Sequence, residues 1–87
     1  IAVGGTLGVT GAATLSSTLT TTGSILPSAD DAVDLGSATK QWRNIYTGDL
    51  HLKNERGSWT VIEEENYLTL RNNKTDKVYK LVMEEIE

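Results

Sequence analysis

From Ile1 to Ala29 the chain carries no charged side chain, and Thr, Ser, Gly and Ala make up 20 of those 29 residues. Every Asp, Glu, Lys and Arg lies between Asp30 and Glu87. The aliphatics of the uncharged arm, Leu7, Val9, Leu15, Leu19, Ile25 and Leu26, stand among hydroxyls and small residues. Ordering a backbone costs about 1–2 kcal/mol per residue, and so sparse an apolar content does not offset it within one arm. The arm either stays disordered or packs against copies of itself. This division points to an assembly and away from an enzyme.

The remaining bounds agree. A chain of 87 residues buries roughly 60–65% of the surface it exposes when unfolded, which is marginal even with a good core, and here a third of the chain supplies little core. Cysteine is absent, so neither disulfides nor thiolate metal sites staple it; oligomerisation is the other common solution for a small chain. No run of eighteen apolar residues is present, nor a basic segment ahead of an apolar one at the N-terminus, so a soluble chain without membrane insertion is expected. A start at Ile1 rather than Met is expected of a piece of a longer chain. The net charge of −4 disfavours nucleic acid and anionic lipid as partners, since both reward clustered Lys and Arg. No alternation of aromatic and basic residues offers a base-stacking platform.

Within the arm (1–29), Thr6-Leu7-Gly8-Val9-Thr10-Gly11 recurs twelve residues later as Thr18-Leu19-Thr20-Thr21-Thr22-Gly23, and Ser16 recurs as Ser28, giving five identities in twelve positions. Thr and Val favour extended backbone, while Gly11 and Gly23 mark bends or close backbone approaches. Short strands separated by tight bends are expected, stable only when neighbours stack around a shared axis. The plainer reading of such a composition is a flexible linker.

The connector (30–48) changes character after Pro27. Ser37 reads as an N-cap, and Trp42, Ile45 and Tyr46 fall at i, i+3 and i+4, predicting one short helix that stops near Gly48 and packs this apolar face into a core. From 49 to 87 the period becomes two, with turns between short runs, the pattern of an antiparallel meander. Leu50 and Leu52 share one face of the first strand; Asn54 to Gly57 turn the chain, Gly57 being free to take a positive φ. Trp59, Val61 and Ile62 belong to the second strand, Glu64 to Asn66 to a turn, Tyr67 to Arg71 to the third strand and Asn73 to Asp76 to the last turn. The final strand is expected from Lys77 to about Ile86, with Val78, Val82 and Ile86 on one face and Tyr79, Leu81 and Met83 on the other. A strand apolar on both faces needs a second surface, which in so short a chain belongs to another subunit.

Groups for chemistry are sparse. One His, no Cys and many Ser without a partner support no catalytic triad. Glu63, Glu64 and Glu65 have the residue type for glycoside cleavage but fall at a hairpin turn. Asp30, Asp31 and Asp34 lack the bidentate Glu of a calcium loop. No catalytic, cofactor-binding or metal-binding residue is assigned, and no cofactor is expected.

The arm, the Asp34-Leu35-Gly36-Ser37 run and Trp42, Ile45, Tyr46, Gly48, Asp49 and Leu50 together resemble the distal part of bacteriophage tail fibres. The runs Trp59 to Glu65, Asn72 to Thr75 and Tyr79 to Leu81 are similar to C-terminal modules of fibre or structural proteins from marine phages. One departure falls at Asp76, where similar sequences often have Gly; Asp tolerates the left-handed region. The resemblance implies a mainly β, intertwined parallel homotrimer located in the virion: an N-terminal β-rich repeat shaft, one short helix and a C-terminal antiparallel β-meander per chain. The last module would set register and nucleate trimerisation, because a repetitive arm shifted by one unit satisfies nearly the same contacts. In the shaft and connector the implied interface is Leu7, Val9, Leu15, Leu19, Ile25, Leu35, Trp42, Ile45 and Tyr46; in the meander it is Trp59, Val61, Leu81 and Met83. Some fibre tips hold iron through paired His residues on the threefold axis, but His51-Leu52-Lys53 lacks the second His. The alternative function is a receptor-binding tip for a host-surface glycan or protein, with Trp59, Tyr67, Asn72 and Asn73 as contacts.

Overall fold

Alternation of apolar and polar residues after Asp49 builds the only regular structure among the described residues. The computed structural model describes residues 2–87; Ile1, the first residue of the arm, lies outside them. Four strands, β1 (Leu50–Lys53), β2 (Ser58–Glu63), β3 (Leu68–Asn72) and β4 (Lys77–Lys80), form one antiparallel sheet in the order β1-β2-β3-β4. The register sets Leu50 opposite Val61, Val61 opposite Leu70, and Leu70 opposite Tyr79.

Turn chemistry fixes that register. The Asn54 side-chain carbonyl accepts from the amides of Arg56 (2.9 Å) and Gly57 (3.3 Å), while the Asn54 amide donates to the Gly57 carbonyl at 3.0 Å. This is the local side-chain-to-backbone bonding that favours Asn in turns. Gly57 does not use the left-handed region, which among the described glycines only Gly36 enters. A Cβ there would sit 3.4 Å from the Trp59 indole nitrogen, an ordinary contact, so neither φ nor space requires glycine at this position. The second hairpin closes through the Glu64 amide on the Tyr67 carbonyl (2.8 Å), so β3 starts at Leu68 rather than at Tyr67. In the third, Asp76 donates to the Asn72 carbonyl at 2.9 Å and adopts φ +61°, the left-handed conformation expected of it.

Two expected elements take a different form. The last strand stops at Lys80, and the final ladder bond runs from the Leu81 amide to the Leu68 carbonyl (2.9 Å). Its partner strand begins at Leu68, so Val82, Met83 and Ile86 have nothing to pair with. The helix is absent: no helix occurs among the described residues. Ser37 and Lys40 instead exchange backbone bonds in both directions (3.0 and 3.3 Å), and the Ser37 hydroxyl accepts from the Lys40 amide at 3.0 Å. The capping contact forms, but it closes a tight loop at Ala38-Thr39. The stretch left before Gly48 is too short to meet the cost of helix nucleation. Trp42, Ile45 and Tyr46 remain exposed on an irregular extended run.

The arm has neither helix nor strand among its described residues and bends at residues 4–5, 10–11, 16–17, 22–23 and 28–29. No ladder forms in it: among the described residues, 2–36 take part in no backbone–backbone hydrogen bond. The single chain is accordingly open. Its accessible surface is 9002 Å², against about 5,000 Å² for a compact protein of this mass and about 13,600 Å² for an unfolded one. The radius of gyration is 18.0 Å, where a compact domain of this length has about 12 Å. Among the described residues no hydrophobic side chain is buried.

Candidate functional site

The pleat sorts the sheet into two unlike faces. Residues opposite each other across the ladder share a face, as do alternate residues along a strand. One face therefore carries Leu50 and Leu52 from β1, Trp59 and Val61 from β2, Leu68 and Leu70 from β3, and Tyr79 with Leu81 at the far edge. Charge reaches this face only at its corners, through Glu63 and Lys77. The Trp59 and Tyr79 rings span it at 5.9 Å between centroids, tilted by 44°. Its outer members lie open, Leu50, Leu52, Tyr79 and Leu81 being 47%, 52%, 49% and 42% exposed, while Trp59, Val61, Leu68 and Leu70 on the two central strands are half-buried.

The opposite face is polar and satisfies itself. It presents His51, Lys53, Ser58, Thr60, Ile62, Thr69, Arg71, Val78 and Lys80. Thr60 and Thr69, near its centre, are the buried residues of the described chain, at 5% and 7% exposure. The Asn73 amide group donates to the hydroxyls of Thr60 (3.0 Å) and Ser58 (3.2 Å), and the Thr60 hydroxyl lies 3.2 Å from His51 Nδ1. The Asn73 backbone amide also donates to the Ser58 carbonyl at 2.9 Å. These bonds pin the β3–β4 turn onto β2. Arg71 pairs with Asp76 at the same end. Among the described residues no buried side-chain polar atom lacks a partner. A face with its hydrogen bonds met and its charges at the surface suits water, whereas an apolar face of eight side chains does not.

The residues expected in an interface are brought together in part. Trp59, Val61 and Leu81 share the apolar face, joined by Leu50, Leu52, Leu68, Leu70 and Tyr79, which were not among the candidates although strict alternation marked them. Met83 lies beyond the ladder. Where arm and connector join, Ile25 and Leu35 line one groove with Leu26, Pro27, Val33 and Asp34, while Trp42 folds back onto Gly36, where an added Cβ would sit 3.2 Å from its ring. Ile45 and Tyr46 join neither cluster and are 69% and 92% exposed. Leu7, Val9, Leu15 and Leu19 are exposed along the arm.

The four receptor-contact candidates are dispersed. Trp59 and Asn72 are cross-strand neighbours on the apolar face. Asn73 reaches the polar face. Tyr67 stands at the far end of β3, with the Lys80 ammonium 4.8 Å above its ring. Glu64 and Glu65 lie in the β2–β3 turn, and among the described residues no group of three or more His, Cys, Asp or Glu is placed to hold a metal ion. No protein-family model, no curated protein and no solved structure matches the chain.

Proposed function

We propose that this chain is a structural segment of a bacteriophage tail fibre, the end of a trimeric shaft joined to a C-terminal trimerisation module, with no catalysis of its own. The observation that carries the reading is the open apolar face of a sheet whose other face leaves no buried polar side-chain atom unpaired. Three such sheets, each turning that face toward a common axis, bury eight apolar side chains per chain and leave the Thr60–Asn73 face in water. A lone four-stranded sheet with no buried hydrophobic residue has little else to hold it. The resemblance of the arm, the 34–50 segment and the C-terminal runs to fibre proteins supplies the number three and the virion as location.

A receptor-binding tip fits less well. Trp59 and Asn72 lie on the face the assembly would cover, and Asn73 is committed to Ser58 and Thr60. Native mass by light scattering across a dilution series tests the proposal. A mass of three chains that persists on dilution is expected, and a folded single chain would refute it.

A further inference from the structure

We infer that the arm is built from six-residue units whose backbone hydrogen bonds are made to other copies of this chain. The inference rests on the assembly proposed above and extends it from the sheet to the arm.

The bends at 4–5, 10–11, 16–17, 22–23 and 28–29 recur at intervals of six. They occupy Gly4-Gly5, Thr10-Gly11, Ser16-Ser17, Thr22-Gly23 and Ser28-Ala29, small or hydroxyl residues throughout. The period stops at the Asp30-Asp31 turn, where charge begins and Asp31 takes φ +53°; the next bend, at 35–36, is displaced by one residue. The twelve-residue recurrence in the sequence is therefore two structural units.

From 7 to 24 the large aliphatic residues fall at the first and third positions of a unit, Leu7 and Val9, then Leu15 with Ala13 ahead of it, then Leu19 with Thr21 in third place; the next unit keeps Ile25 in first place but adds Leu26 in second. In extended backbone, residues two apart point the same way, so each pair forms one segment of an apolar stripe. Leu7, Val9, Leu15 and Leu19 are 54–74% exposed. Along the same stretch the described backbone donors and acceptors have no partner within the chain, and polar backbone groups taken out of water require one.

A partner must therefore cover an apolar stripe and a line of backbone groups together, in step with a bend every six residues. An unrelated strand loses step at the first bend. Another copy of this arm carries the same bends at the same positions, with Thr and Ser available for cross-strand hydroxyl pairs and no charge to repel its twin. Copies joined through their sheets hold the arms at high effective concentration.

The test is amide hydrogen exchange of the full chain, read together with native mass. In the assembled protein, amides of residues 7–26 should exchange at least about tenfold more slowly than free peptide. Leu15→Asp places like carboxylates in the stripe and should abolish that protection in the neighbouring units while the native mass is unchanged. Ser17→Asp, in a bend, should preserve both. An assembled protein whose arm exchanges at free-peptide rates overturns the inference and leaves the sheet assembly standing. Equal effects of Leu15→Asp and Ser17→Asp overturn the six-residue assignment, and a single-chain mass overturns both readings.

Discussion

Replacing Leu52 by Ala removes three carbons from the open sheet face at its β1 edge. Burial of each is worth about 0.8 kcal/mol, or about 2.4 kcal/mol for the side chain as a whole. In the single chain Leu52 is 52% exposed, so about half of that, roughly 1.2 kcal/mol per chain, remains to be gained on assembly. Three copies lose about 3.6 kcal/mol, which weakens the association constant roughly 400-fold. Because the midpoint concentration of a three-chain assembly varies as the square root of that constant, dissociation should move up by roughly 20-fold in concentration. Val78→Ala is the matched control, since Val78 is 56% exposed but lies on the polar face. Its midpoint should stay within about twofold of the parent, the spread expected of surface substitutions. Sedimentation reads both when the dilution series is carried past the range in which the parent stays assembled. Equal shifts for the two variants, or none for Leu52→Ala, would refute the assignment of the apolar face to the interface.

Three further outcomes follow from single residues. Asn73→Ala removes the side chain that donates to Ser58 and Thr60 and should cost about 1–3 kcal/mol, read as a lower thermal midpoint; a change under about 0.5 kcal/mol would mean the turn is not pinned there. Asp76→Gly exchanges a left-handed Asp at φ +61° for a residue without that penalty of about 1–2 kcal/mol, and gives up an exposed pair with Arg71 worth at most about 1 kcal/mol. A midpoint equal to or slightly above the parent's is expected, and a clear drop would show that the Arg71 pair dominates. Gly36→Ala meets both φ +86° and a Cβ 3.2 Å from the Lys40 carbonyl oxygen and the Trp42 ring. It should abolish exchange protection of the Ser37 and Lys40 amides, and retained protection would refute the strain argument.

Much of the sheet was legible before any coordinates. The period of two after Asp49, Asn at position 54 and Asp at 76 locate the hairpins, because alternation and turn chemistry are local and act within a few residues. Alternation also separates Leu50, Leu52, Trp59, Val61 and Leu70 from Thr60 and Arg71. The helix expected around Trp42, Ile45 and Tyr46 failed for an equally local reason. A capping Ser37 and an i, i+3, i+4 spacing are compatible with a tight loop when the segment is too short to nucleate, and apolar spacing alone does not reveal that competition. Asn73 was read as a surface contact because its bonds to Ser58 and Thr60 span more than a dozen residues of sequence.

What the sequence determined by itself is the boundary at Asp30, the alternation of the meander and the shortage of apolar residues for a core; these follow from composition and period alone. Tertiary structure decided where the last strand ends, since Lys80 is the last residue fully opposed by β3 before Leu68 closes the ladder. It decided that the buried pair is Thr60 and Thr69 rather than any aliphatic, because the polar face closes over itself while the apolar face lies open. It also decided that the arm counts in sixes rather than twelves, since bends are a property of backbone path and unlike residues such as Ser16-Ser17 and Thr22-Gly23 make the same one.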